Sequence, residues 1–321
     1  MIDLVLNQWS QLQDWLFETL VLPVAFGLGY GNLLEVAYTG TGMFMVGVLE
    51  VLIMLVLIAP LQHWRPVEPV TDKQAVRVDV VYTLIHKLGL FNLFMYFTFG
   101  NWLEQGIGYL RGQGMPTFHI DHIWPGVTDL AFVSFLMYLV VFDFVNYLIH
   151  RGQHEFEWWW KLHALHHSQR QMSMWTDNRN HLIDSIIVAL ILSTVAVLIG
   201  VGPGQFVALI AFGRLSENFQ HANLRLSFGP VLERLWVSPR FHRRHHSIGD
   251  GHESFEHGRV VLGGCNFGVL LPVWDILFNT ADFQLRFDAT GVRDQVEQGR
   301  DYGRGFWAQQ KQGVLRLLGR A

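Results

Sequence analysis

Apolar residues along this chain are clustered rather than periodic, in runs from Met43 to Pro60, Val81 to Phe99, Val127 to Ile149, Leu182 to Gly200 and Gln205 to Phe219. Crossing roughly 30 Å of hydrocarbon as a helix takes about 20 residues, and several of these runs are long enough. A buried helix of a soluble protein keeps one polar face at a period of about 3.6 residues. Val127 to Ile149 shows almost none. The pattern predicts an all-α fold, an integral membrane helical bundle. The shorter stretch from Leu16 to Tyr30, interrupted by Pro23 and several glycines, reads as an interfacial or partly inserted helix.

Composition agrees, since 50% of the 321 residues are hydrophobic and 16% are charged. The net charge of −4 decides nothing in such a chain, but the placement of Lys and Arg sets orientation. Arg65, Lys73 and Arg77 share one loop, Arg151, Lys161, Arg170 and Arg179 a second, and Arg225, Arg234, Arg240, Arg243 and Arg244 a third. Residues 151–180 and 223–259 are therefore expected on the cytoplasmic side. Gly100 to Gly126, which carries only Arg111, and the uncharged turn at Gly202 are expected opposite. Two helical hairpins follow, Val81 to Ile149 and Leu182 to Phe219. No basic region precedes the first apolar stretch, so no secretory signal is expected. The single cysteine, Cys265, excludes an intramolecular disulfide and a cysteine-ligated iron–sulfur cluster within the chain. There is no internal repeat, low-complexity tract or nucleic-acid motif.

Most of the 16 histidines fall in the loops assigned to the cytoplasm, and they fall in groups. His150 and His154 are spaced i, i+4 at the end of an apolar run, which puts both rings on one helical face. His163, His166 and His167 follow at i, i+3 and i+4. Ser238-Pro239 reads as an N-cap and first helical residue, opening a helix that carries His242, His245 and His246 at the same spacing. His63, His86, His119 and His122 stand outside these groups and read as ordinary polar residues. Eight clustered imidazoles on one membrane side point to a shared metal centre, and they exceed what one first-row ion can use, so two metals are predicted. Imidazole suits iron, zinc, copper and nickel alike.

From Leu130 to Thr280 the chain resembles the fatty acid hydroxylase and sterol desaturase superfamily of membrane di-iron enzymes. The motifs are Asp143 and Asn146 before His150-x-x-x-His154, then His163-x-x-His166-His167, His221-x-Asn223 and Pro239-x-x-His242-x-x-His245-His246. A closing signature follows, Asn266-Phe267-Gly268 with Leu271-Pro272-x-Trp274-Asp275-x-Leu277-Phe278. The resemblance adds His181 and His221 to the ligand set. At His181 this sequence departs from the family, with Leu182 for the usual proline and Asp184 for glutamate. Asn279 replaces a glycine at a turn. Asp143, two turns from His150 on the same face, and Asp184, beside His181, are the candidate catalytic carboxylates, each expected to fix the tautomer of a ligating imidazole. Glu50, inside an apolar run, has no obvious partner.

The resemblance implies two iron ions held in a cytoplasmic histidine-rich helical cap, O2 as co-substrate, and hydroxylation of an acyl, alkyl or sterol-like lipid C–H bond. A desaturase with the same centre, a membrane metal transporter and a non-catalytic lipid-binding protein are the alternatives. The chain has no haem-attachment motif, so an external donor of ferredoxin or cytochrome type is implied. Arg151, Lys161, Arg170, Arg225, Arg234, Arg240, Arg243 and Arg244 predict a basic face that steers an acidic donor. The expected organisation is N-terminal membrane helices over 1–126, a catalytic domain over 127–280, and a tail over 281–321 ending in an interfacial amphipathic helix.

Overall fold

The computed structural model describes residues 2–248, 254–256, 259–261 and 263–321, so part of the 223–259 loop lies outside the described residues. Its regular elements are helical apart from a two-stranded antiparallel ribbon, Ser254–Glu256 with Arg259–Val261. Among the described residues, two helices, Gly31–Trp64 and Ala131–Glu155, are long and apolar enough to cross a membrane. A third span results if Lys73–Lys87 and Leu90–Gly112 are taken together, but that pair is bent by 53°. The bend falls at Gly89, whose φ of 83° suits glycine because it has no Cβ. These helices mark the chain as a membrane protein. Leu182–Leu198 is a shorter apolar helix, joined by a tight turn to Pro203–Gln220.

Each long helix sorts its side chains by face. On Gly31–Trp64, Glu50, Met54 and Ile58 recur every four residues and are buried, while Leu49, Leu52 and Val56 are exposed, as a lipid-facing surface requires. Ala131–Glu155 turns Tyr138, Phe142, Asp143, His150 and His154 inward and Phe132, Leu136 and Val140 outward. Its inward face packs with Leu192 and Ala196 from Leu182–Leu198 and Leu209 from Pro203–Gln220 into the main core.

Glu50 has a partner after all. Lys87 Nζ lies 3.2 Å from its carboxylate, and both side chains are almost fully buried. The close crossing depends on Gly47, where a Cβ would fall 1.7 Å from the Lys87 carbonyl oxygen. The C-terminal segment forms the helix Phe306–Leu317, and it docks rather than trailing away. Gln309, Gln310, Gly313 and Arg316 are buried, Arg316 Nε donates to the Lys161 carbonyl at 3.1 Å, and the rings of Phe306 and Tyr82 lie 4.7 Å apart.

Much of the expected basic face is paired, and three of its arginines, Arg240, Arg243 and Arg244, are turned inward. Arg240 meets Glu233, Arg243 meets Glu68 at 2.6 Å, and Arg244 meets Asp282 at 2.8 Å and Asp288 at 3.0 Å. Arg151 and Lys161 pair with Glu155 and Glu157 at i, i+4. A side chain neutralised at contact distance adds little to a long-range field. The field expected from this face is therefore weakened: its paired arginines hold the loops together, and Arg170, Arg225 and Arg234 remain exposed.

Candidate metal centre

The ends of four helices carry the imidazoles. His150 and His154 lie in the last turns of Ala131–Glu155, and His163, His166 and His167 on Glu157–His167. His221 caps the C-terminus of Pro203–Gln220. His242 and His245 lie on Pro239–His245, which His246 caps. That short helix starts as its sequence requires, with Ser238 accepting the Phe241 N–H at 3.1 Å and Pro239 in its first turn.

These ends bring together two groups of four buried histidines. In one, His150, His154, His167 and His245 each offer a nitrogen within 4.8 Å of the others; in the second, His166, His221, His242 and His246 do the same. The groups adjoin, since the rings of His167 and His246 stack at 4.2 Å. His163 belongs to neither set but lies between them, its ring 5.4 Å from His150, 5.1 Å from His167 and 5.2 Å from His166. A third group, His119, Asp121 and His122, is partly exposed near the opposite end of Ala131–Glu155.

Hydrogen bonds aim the rings. His150 Nδ1 donates to the Phe267 carbonyl at 2.9 Å, His245 Nδ1 to the Cys265 carbonyl at 2.8 Å, and His221 Nδ1 to the Glu217 carbonyl at 2.7 Å. A carbonyl can only accept, so these rings carry their proton on Nδ1 and keep the Nε2 lone pair for the centre. His163 is fixed likewise, its Nδ1 3.1 Å from Asp184, while its buried Nε2 has no hydrogen-bond partner. Burial holds His166, His242 and His246 well below the ordinary histidine range and takes His221 down to about 4, so these rings are neutral near pH 7.

The second group is not satisfied by hydrogen bonds alone. His221 Nε2 lies 3.1 Å from His166 Nε2 and 2.9 Å from His242 Nε2, which in turn lies 3.1 Å from His246 Nε2. One lone pair on His221 accepts one proton, yet two nitrogens face it. A cation among the four lone pairs resolves the conflict, so the donor set fits a bound metal ion.

His181 is not brought to this cluster. It caps Leu182–Leu198 instead, with Nδ1 accepting from the Ile183 N–H at 3.2 Å and Nε2 donating to the Gln310 carbonyl at 2.9 Å. The docked C-terminal helix presses on it, since a Cβ at Gly313 would come 2.3 Å from its ring. Asp184 therefore serves His163, not His181, and also accepts from Gln153 and Trp159 at 2.8 and 2.7 Å. Asp143 bonds to no imidazole among the described residues. It accepts from the backbone N–H groups of Leu270 and Leu271 and from Trp274 Nε1, at 2.7, 3.1 and 2.8 Å. Asp275 grips the Phe267 and Gly268 N–H groups from the other side, at 2.8 and 2.7 Å. The closing signature thus holds in place the carbonyls that orient His150 and His245. Asn279 adopts a φ of 57°, the turn conformation for which glycine is usual and asparagine tolerable.

Residues 135–280 match the model of the fatty acid hydroxylase family. That segment is a fatty acid hydroxylase domain. The chain is 30% identical over 182 residues to an ornithine lipid hydroxylase of Rhizobium tropici, covering 56% of this chain and 51% of the relative. An alkylglycerol monooxygenase of Caenorhabditis elegans is 29% identical over 146 residues, 46% of this chain and 26% of the relative. A fatty acid hydroxylase of Lecanicillium sp is 28% identical over 173 residues, 49% of this chain and 44% of the relative. The chain thus spans about half or less of the length of these relatives. No solved structure matches it.

Proposed function

We propose that this protein is a membrane di-iron monooxygenase that hydroxylates a lipid C–H bond, with O2 as co-substrate and electrons from an external donor of ferredoxin or cytochrome type. The observation that carries the reading is the pair of adjoining four-histidine groups. His150, His154, His167 and His245 would hold one ion, and His166, His221, His242 and His246 the other, with His163 available between them. When bound, the metals would supply O2 activation and attack on an unactivated C–H bond. The chain's own residues do the rest. The Phe267, Cys265 and Glu217 carbonyls and Asp184 keep protons on Nδ1 of four rings. Apolar walls from Leu139, Phe142 and Leu192 exclude water beside the histidines and receive the substrate's hydrocarbon. The histidines gather at helix ends, whereas a transporter needs ligands near the bilayer midplane or along a path across it. We place that end on the cytoplasmic side and read the protein as multi-pass, because Lys and Arg concentrate in the loops there.

The test is lipid mass spectrometry on cells expressing the protein or its His166→Ala variant under isotope-labelled O2. A lipid that gains one labelled oxygen only with the parent protein is the expected result. Loss of two hydrogens would reassign the protein as a desaturase, and no lipid change would remove the enzymatic reading.

A further inference from the structure

Outside the histidine centre, the donor atoms of His119, Asp121 and His122 all lie within 4.8 Å of one another. These residues precede Ala131–Glu155, around the 3-10 turn Ile120–His122. His119 is the N-cap of that turn and His122 its last residue, and the His122 N–H donates to the His119 carbonyl at 3.1 Å. Positions i and i+3 of a 3-10 helix eclipse, so the two rings come face to face, 4.8 Å between centroids and 18° between planes. Asp121 Oδ1 lies 3.9 Å from His122 Nε2. That is too long for a hydrogen bond, and it leaves both atoms available to one ion.

The carboxylate is aimed from behind. Tyr138 donates to its Oδ1 at 3.0 Å and Ser134 to its Oδ2 at 3.4 Å, both from Ala131–Glu155, and the Thr128 hydroxyl donates to the Asp121 carbonyl at 2.7 Å. An ionised carboxylate has about four acceptor sites, so lone pairs remain for a cation. Such hydrogen bonds behind a carboxylate are what orients it as a ligand. His119 lies over Gly200, where a Cβ would fall 2.4 Å from its Nδ1. The third member is free to move, since the His122 side chain is 67% exposed against 21% for Asp121. Two imidazoles and a carboxylate suit a first-row divalent ion, whereas calcium and magnesium call for oxygen ligands throughout. Zinc takes three such protein ligands and leaves a fourth position to water. Its bonds of about 2.0–2.2 Å set tetrahedral donors about 3.4 Å apart, so the rings swing inward by about 1 Å on binding.

We infer that His119, Asp121 and His122 form a separate metal site for a zinc-class divalent ion, at the end of the bundle opposite the histidine centre. Ser134, which holds Asp121, and His150 share one helix and stand about 24 Å apart along its axis at about 1.5 Å of rise per residue, so the two sites share no ligand. The ion braces that end of the bundle. It joins Asp121, bonded to Ala131–Glu155, to His119, seated on the Gly200 turn between Leu182–Leu198 and Pro203–Gln220. The assignment is independent of the oxygenase reading.

The test is histidine modification by diethyl pyrocarbonate on the full chain in nanodiscs, read by peptide mass spectrometry across a zinc titration. The readout is residue by residue, so zinc taken up by the histidine centre does not confuse it. At about 10 μM free zinc, His119 and His122 should react about tenfold more slowly than without metal, while the exposed His63 keeps its rate. Calcium at the same concentration should protect neither. Asp121→Asn keeps an acceptor for Tyr138 but loses the charge, and should raise the zinc needed for half-protection about 10- to 100-fold. His119→Ala, which leaves the bonds of Asp121 in place, should shift the protection of His122 in the same direction. His86, buried in the parent protein, should stay unmodified in both variants and so report an intact fold. Zinc that leaves His119 and His122 as reactive as His63, equal protection by calcium, or a midpoint unchanged by both substitutions would overturn the assignment.

Discussion

Asp184→Asn is a one-atom change with a calculable consequence. Oδ1 of Asp184 accepts from Gln153 and Trp159, at 2.8 and 2.7 Å, and Oδ2 accepts from His163 Nδ1 at 3.1 Å. An asparagine keeps its carbonyl toward the first two donors and turns its NH2 toward the histidine. His163 then restores the bond by moving its proton to Nε2, so its Nδ1 accepts instead. The exchange replaces a charge-assisted bond with a neutral one, a loss of about 1 kcal/mol of stability. The functional effect is larger, because the lone pair that His163 offers the centre is gone. Losing the group that orients a metal-binding histidine lowers affinity about 10- to 100-fold. Thermal unfolding should therefore change little while iron retention against a chelator series falls by that factor. Retention equal to the parent protein's would refute the proposed role of Asp184, and a collapse in melting temperature would show that it acts on the fold instead.

Glu50→Gln strands Lys87 in an apolar crossing and should cost about 3–5 kcal/mol of stability, while Glu50→Leu with Lys87→Met should come close to the parent protein; a single variant as stable as the double would contradict the pairing. The metal-free protein should lose stability in mild acid. His221 is held at about 4 in the fold, below the ordinary value of about 6.5, so between the two the unfolded chain binds more protons. The stabilisation is complete above about pH 6.5 and declines as the pH falls toward about 4, a trend that melting temperature against pH would show and a flat profile would deny.

The histidine spacing was legible in the sequence because i, i+3 and i+4 positions share a helical face whatever the helix packs against. The apolar spans were legible from the length of the runs, and the Ser238-Pro239 helix start from its cap and proline. What the sequence hid depended on which elements meet. His181 has the right residue type and a family position, but capping Leu182–Leu198 and docking against Gly313 occupy both its nitrogens. Asp184 therefore faces His163, from a different helix. Lys87 was a signal, a cation inside the Val81 to Phe99 run, yet only the Gly47 crossing shows that it answers Glu50. Arg243 and Arg244 looked like part of a surface because their acidic partners, Glu68, Asp282 and Asp288, are distant in sequence.

Iron content per chain tests the central claim most directly. Protein purified anaerobically and loaded with ferrous iron should hold two ions per chain by mass spectrometric metal analysis, because each four-histidine group supplies a complete set of nitrogen donors. His245→Ala and His166→Ala, which strike different groups, should each lower that number. A parent protein that binds one ion or none after loading would contradict the two-metal centre.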